Sequence, residues 1–208
     1  MPRILVSGFE PFGSESVNPS QALVEALREM DFDDVDLHTL ILPVVRGAAD
    51  EQLLAAIDKL LPSYVLMFGE AGGRTAMTPE RVAINIDDYR IADNAGHQPR
   101  GEPVVAGAPV GYFSTLPIDS MVTAMNAADS PAAVSNSAGT FLCNRVFFRV
   151  MHHIIGGAHT TRAGFVHLPY LAEQIQGKPR NTPSIQLGQV VNGAQQIIKV
   201  ITSAQTAS

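Results

Sequence analysis

The chain carries one cysteine, Cys143, and its neighbours are those that would make a thiol reactive. Residues 140–155 place Leu142, Val146, Val150 and Ile154 on one helical stripe, with Phe147, Met151 and Ile155 beside it, so Cys143 falls in a first turn. Unpaired N–H groups and the positive end of the helix dipole favour a thiolate there, and the expectation is a thiol acidified below its free value. A buried structural cysteine, the usual fate of a lone thiol, is the competing reading. Position argues for a nucleophile. A short strand expected at 132–135, a tight Ser137-Ala138-Gly139 turn and then the helix is how α/β enzymes expose a side chain above the carboxyl edge of a sheet.

A cysteine nucleophile needs a base. Of six histidines, His167 closes the apolar run Ala163-Gly164-Phe165-Val166-His167 and so stands at the carboxyl end of a strand that follows the Cys143 helix. His152 and His153 sit in the last turns of that helix, roughly 14 Å along its axis from the thiol, and read as dipole partners at its C-terminus. His38, His97 and His159 read as a strand residue, a long-loop residue and a glycine-turn residue, solvated or satisfied. A third group should orient the imidazole, and Glu80, in Thr78-Pro79-Glu80-Arg81, is placed for it; the alternative is a surface glutamate paired with Arg81. The run Gly69-Glu70-Ala71-Gly72-Gly73-Arg74 lacks the Gly-Lys-Ser/Thr ending of a phosphate loop, so no nucleotide is expected. No His-x-x-x-His, Cys-x-x-Cys or other ligand spacing points to a metal, and no cofactor is expected.

The elements that must position these residues alternate. Strands are expected at 3–8, 35–44 and 64–69 with helices after Asn18-Pro19-Ser20 and at 48–61, a β-α-β-α-β rhythm that implies a parallel sheet with right-handed crossovers. An alternating strand follows at 80–86, then a loop over 87–111 with seven glycine or proline breakers and room for one hairpin. Helices at 118–127, 140–155 and 185–201 and strands at 132–135 and 163–167 complete the chain, with fraying expected beyond Thr202. No repeat or linker divides it, so the expectation is one three-layer α/β domain over 1–208 with an open, mostly parallel twisted sheet.

Composition narrows the partners. Hydrophobic residues are 46% and charged residues 16%, which excludes disorder and coiled coil and leaves a weakly charged surface suited to contacts between subunits. With 14 Lys and Arg against 20 Asp and Glu, a net charge of -6 offers no basic footprint for nucleic acid or an anionic membrane. Ile4-Leu5-Val6 is too short for a signal-peptide core, and the uncharged stretch 181–198 is too rich in Gln and Asn to span a bilayer. A single cysteine excludes an internal disulfide and fits a reducing cytoplasm.

These residues together resemble the pyroglutamyl peptidase I, or pyrrolidone carboxylate peptidase, family of cysteine exopeptidases. The resemblance spans nearly the whole chain. It rests on Gly8-Phe9-Glu10-Pro11-Phe12-Gly13 with Asn18-Pro19, on Gly72-Gly73-Arg74 through Glu80-Arg81-Val82-Ala83-Ile84-Asn85, on Asp93-Asn94, on Ser137-Ala138-Gly139-Thr140-Phe141-Leu142-Cys143-Asn144 and on His167-Leu168-Pro169-Tyr170. It implies an open sheet between helix layers, a Cys143, His167 and Glu80 triad, a thioester acyl-enzyme, peptides with N-terminal pyroglutamate as substrates, and a homotetramer. It also implies substrate contacts from Phe9, Phe12, Asn18, Glu70 and Arg90, with Arg90 beside the Cys143 N–H facing the oxyanion. The chain departs from the family pattern at Glu70, where glutamine is common, and at Tyr89 and Ala92 around Arg90. Because Arg74 follows four residues on, the Glu70 carboxylate is expected to point to solvent or toward Arg74, leaving the lactam pocket neutral. Two rivals share parts of this pattern: a cysteine amidase or acyl hydrolase of other specificity, and a non-catalytic homologue.

Overall fold

Ile4 and Val6 lie on one face of the first strand and Leu5 on the other, and all three are buried. A strand apolar on both faces needs helices on both sides. The computed structural model describes residues 1–157 and 160–203 and meets that requirement. In chain order the elements are β1 (Arg3–Phe9), α1 (Pro19–Arg28), β2 (Asp36–Leu42), α2 (Ala48–Leu60), β3 (Tyr64–Glu70), β4 (Thr78–Pro79), β5 (Val82–Ile84), β6 (Gly111–Phe113), α3 (Ile118–Ala127), α4 (Leu142–Gly156), β7 (Arg162–Leu168), β8 (Tyr170–Leu171), β9 (Ser184–Ile185) and α5 (Leu187–Ser203), with a 3-10 turn at Ala172–Ile175.

The main sheet has the order β2-β1-β3-β7-β4, parallel except for the antiparallel edge strand β4. Its faces bury two separate cores. Ile4, Val6, Leu66, Phe68, Val166 and Leu168 pack with α1, α3 and α5, while Leu5, Val65, Met67, Ala163 and Phe165 pack with α2 and α4. Helix boundaries follow their chemistry: Asn18 caps α1 by accepting from the Ser20 N–H at 2.9 Å with Pro19 at the first turn, and α2 ends where Leu61 turns left-handed (φ 48°).

Four expected elements differ. The strand at 80–86 shortens to β5, because the chain leaves the main sheet after Pro79 and pairs again only at Val82–Ile84, with β6. The strand at 132–135 is a run with isolated bridges, Met77 to Ala132 and Glu80 to Ser135; its neighbour Pro79 has no N–H to give a continuous ladder. Residue 185 belongs to β9, paired with Leu171, so the last helix starts at Leu187. The loop 87–111 holds one antiparallel bridge, Asp87 to Glu102, in place of a hairpin. Ser203 is still helical; residues 204–208 and His159 lie outside the described residues.

Candidate active site

Gly139 takes a positive φ of 72°, turning the chain so that Phe141 can precede α4 in extended form and Cys143 becomes its second residue. The next residues anchor this helix start. Asn144 accepts from the Ile84 N–H at 2.9 Å and donates to the Ile84 and Ile86 carbonyls, while Arg145 bridges Asp50 of α2 at 2.8 Å and Asp87 at 2.6 Å. The nucleophile candidate is therefore mounted on a rigid support.

The sulfur lies over β3. A Cβ on Gly69 would fall 2.8 Å from Cys143 Sγ, so only glycine leaves the thiol its place. Gly69 pairs in register with His167 of β7, and paired residues of parallel strands present the same face. Cys143 and His167 thus meet on the α4 side of the sheet at its carboxyl end. His167 is buried against the Phe165 ring, centroids 4.8 Å apart, and its Nδ1 lies 2.7 Å from Glu80 Oε1. Glu80 reaches this point because β4 runs antiparallel along β7 and the Glu80 N–H continues onto the Phe165 carbonyl at 2.8 Å.

Glu80 is wholly buried, which rules out the surface pairing with Arg81; that guanidinium donates to Asn136 instead. The cation beside Glu80 is Arg74, whose guanidinium donates to Oε1 at 2.6 Å, to the Thr78 hydroxyl and to the Ser137 carbonyl at 3.2 Å. Sequence reasoning gave Arg74 no such part, since it sits in a glycine turn without periodicity.

The electrostatics follow from burial and these contacts. Burial pulls the His167 imidazole below its ordinary value and Arg74 adds to this, while Glu80 opposes; the resting ring is neutral at neutral pH. Burial works to raise Glu80, but the hydrogen bond and charge of His167, with Arg74, hold it below the usual carboxylate range. Burial, then the carboxylates of Glu70 and Glu80, push the Cys143 thiol up to about 12. The expected acidification by the helix start is overturned: two nearby anions and the loss of water outweigh a few backbone N–H groups.

Beside Cys143 lies an inner cavity of about 30 Å³, lined by Phe9, Phe12, Asn18, Glu70 and Phe141 among others. It opens into a cleft of about 450 Å³ where Phe12, Glu70, Arg90, Phe141 and Tyr170 meet. Phe12 and Phe141 close the boundary, centroids 6.0 Å apart, and Tyr89 backs Phe141 edge-on at 4.6 Å. Phe141 and Tyr89 were not singled out as pocket residues from sequence; they come together through packing across about fifty residues. Asn18 borders the inner cavity, with Oδ1 filled by Ser20 and Nδ2 donating to the Glu10 carbonyl at 3.1 Å. Arg90 is exposed in the outer cleft.

Glu70 overturns an expectation. Its carboxylate faces the cavities and accepts from Gln174 Nε2 at 2.8 Å, because Arg74 is spent on Glu80. An i,i+4 spacing brings charges together on a helix, and this segment is a turn. The other described histidines have side-chain neighbours of their own: His152 with Tyr112 at 2.8 Å, His153 with Asp58 at 2.7 Å, His97 with Asp93 at 3.1 Å and His38 with Asp36 at 3.0 Å. His152 and His153 thus each have a side-chain partner, and His153 is the basic residue of the last turn of α4, as a dipole partner would be. No group of three or more metal-ligating side chains occurs among the described residues.

Known proteins share both sequence and fold with this chain. A family model described as pyroglutamyl peptidase matches residues 2–204. The pyrrolidone-carboxylate peptidase of Vibrio vulnificus strain YJ016 is 47% identical over 208 residues, 99% of this chain and 94% of the relative; that of Cupriavidus taiwanensis is 46% identical over 206 residues, covering 99% and 95%. The crystal structure of pyroglutamyl peptidase I from Bacillus amyloliquefaciens superposes with a TM-score of 0.92 at 38% identity, covering 96% of this chain and 94% of that one. A mutant pyrrolidone carboxyl peptidase from Pyrococcus furiosus gives 0.93 at 37% identity, covering 98% and 99%. Sequence along nearly the whole chain and the arrangement of its sheet agree, and the chain belongs to the pyroglutamyl peptidase family.

Proposed function

We propose that this chain removes N-terminal pyroglutamate from peptides with Cys143 as nucleophile, His167 as general base and acid, and Glu80 as the group that orients the ring. The observation that carries the reading is the 2.7 Å bond between Glu80 and His167 Nδ1, which leaves Nε2 as the basic nitrogen on the face shared with Cys143. With thiol and imidazole both neutral at rest, the thiol proton passes to Nε2 as sulfur attacks the pyroglutamyl carbonyl. Glu80 stabilises the imidazolium, and Arg74 keeps Glu80 ionised.

The tetrahedral oxyanion faces the Cys143 backbone N–H, with Arg90 approaching from the outer cleft. Imidazolium protonates the departing amine, leaving a thioester. Water, deprotonated by His167, cleaves the thioester, and pyroglutamate and free thiol are released. A flat neutral lactam needs apolar walls, supplied by Phe9, Phe12 and Phe141; with about 30 Å³ open at rest, the ring enters as Phe12 and Phe141 part. One domain over 1–208 and assembly of four copies are part of the reading, the latter supported by two exposed apolar side chains at β6, Val110 and Phe113. A cytoplasmic setting rests on the single cysteine.

Cys143→Ser tests the reading: a nearly isosteric but protonated hydroxyl should fold as before and lose turnover of a pyroglutamyl coumarylamide, and iodoacetamide should inactivate the parent protein. More than about a tenth of parental turnover in the variant would remove Cys143 from the mechanism.

A further inference from the structure

Three residues that wall the inner cavity, Phe9, Phe12 and Val44, stand at the carboxyl ends of β1 and β2 or just beyond them. A third segment, 93–97, fastens these two stretches of chain, and the fastening centres on one carboxylate oxygen. Glu10 Oε1 accepts from the Val44 N–H at 3.0 Å and from Asn94 Nδ2 at 3.1 Å. The same amide donates to the Pro11 carbonyl at 3.1 Å, one residue before Phe12, and the Asn94 N–H donates to the Val44 carbonyl at 2.9 Å. Val44 is thus held through both of its backbone groups, one by Glu10 and the other by Asn94. The Glu10 N–H donates to the Leu42 carbonyl at 3.0 Å, so the carboxylate springs from a backbone that is itself fixed.

Asn94 is held in turn by its neighbour. Asp93 is buried; its Oδ1 accepts from the Ala95 and His97 N–H groups at 2.9 and 2.8 Å, and its Oδ2 accepts from the Arg46 N–H at 2.7 Å. These bonds close the turn and tie it to the chain two residues beyond Val44. Neither Glu10 nor Asn94 lines the inner cavity or the outer cleft, so what they govern is where the walls stand. The ring enters as Phe12 and Phe141 part, and a backbone held at Pro11 confines that movement to the Phe12 side chain. We propose that Glu10 and Asn94 are positioning residues that hold the Phe12 wall to Val44 and thereby set the width of the space the substrate ring enters. The inference rests on the pocket assigned above and adds to it the bonds, outside that pocket, that fix the ring size it accepts.

The test compares kcat and KM for a pyroglutamyl coumarylamide with those for its homologue whose lactam ring has one more methylene. One extra methylene in a cavity of fixed width predicts a preference of about tenfold or more for the five-membered ring in the parent enzyme. Glu10→Ala should raise KM for the pyroglutamyl substrate about fivefold or more and lower the ring-size preference at least about threefold, while Glu10→Gln, which keeps an acceptor oxygen, should stay within about twofold of the parent in both. Asn94→Asp sets a second carboxylate against Glu10 and should raise KM as Glu10→Ala does; because residue 94 is exposed, this variant tests the clamp even if Glu10→Ala fails to fold. The double variant Glu10→Gln/Asn94→Asp restores a donor facing an acceptor with the roles reversed, and should recover most of the lost affinity. A merely structural role would lower kcat for both substrates alike, through the fraction of folded enzyme, and leave KM and the ring-size ratio in place. Unchanged KM and ratio in Asn94→Asp, or a double variant no better than Asn94→Asp alone, overturns the proposal. That failure is distinct from failure of the site itself, which would appear as retained activity in Cys143→Ser.

Discussion

Exchanging Glu80 for glutamine removes one charge at a position with no exposed surface and leaves its volume nearly unchanged. The lost interaction is with the imidazolium that forms when Cys143 gives up its proton. Glu80 Oε1 lies 2.7 Å from His167 Nδ1, which sets the two charge centres about 4 Å apart; at an effective dielectric near 20 their attraction is about 4 kcal/mol. Each 1.36 kcal/mol is about a factor of ten in rate, so kcat should fall roughly a thousandfold. Two further effects act in the same direction. The amide can present its NH2 to Nδ1 and select the wrong tautomer, and the Arg74 cation, left beside His167, opposes its protonation. The assay is steady-state hydrolysis of a pyroglutamyl coumarylamide, with thermal melting and near-ultraviolet circular dichroism to establish the fold. Because the stranded guanidinium destabilises Glu80→Gln, the double variant Glu80→Gln/Arg74→Met provides a control that should recover stability without recovering activity. A natively folded Glu80→Gln enzyme with more than about a tenth of parental kcat would refute the orienting role.

Removing the bases separates near from far: His167→Ala should lose several orders of magnitude in kcat/KM, while His152→Ala, with its ring bound to Tyr112 toward the other end of α4, should stay within about fivefold. Arg74→Gln should move the acid limb of the kcat/KM profile to higher pH. The sign follows from Arg74 lowering the His167 value: without that cation the ring stays protonated to higher pH and cannot accept a proton, so an acid-ward shift would contradict the assignment. Phe12→Ala opens the boundary with Phe141 and should raise KM for the pyroglutamyl substrate about tenfold, near 1.4 kcal/mol of lost contact, measured on the same coumarylamide; an unchanged KM would place the ring elsewhere.

Much of this arrangement is legible in residue order because buried strands and amphipathic helices write their periods directly. β1, α1, α3 and β7 lie where apolar runs and the Asn18-Pro19 cap place them, and strand ends locate His167 and Gly69. What periodicity does not carry is the direction of a side chain in a turn. Glu70 and Arg74 are neighbours in sequence yet bind Gln174 and Glu80, one 104 residues away and the other six. Phe141 meets Tyr89 and Phe12 only because Thr140 and Asp88 exchange hydrogen bonds across 52 residues, and no local pattern announces that. The thiol value fails for the same reason: its burial and the carboxylates that face it belong to tertiary packing.

The reversal of direction at β4 also bears on the order in which the molecule can acquire activity. The hydrogen bond between Glu80 and His167 joins residues 87 apart, and it depends on β7, whose own parallel partner β3 lies before β4 in the chain. Helices α1 and α2 and the antiparallel pair of β5 with β6 draw on nearer contacts and can form while this pairing is still open. Loop-closure entropy must be overcome before the edge strand docks, so the bond between Glu80 and His167 forms only once β7 is in place for β4 to pair with. A partly folded chain would then display native helix content while its thiol and imidazole remain uncoupled, inert toward peptides until the sheet is complete.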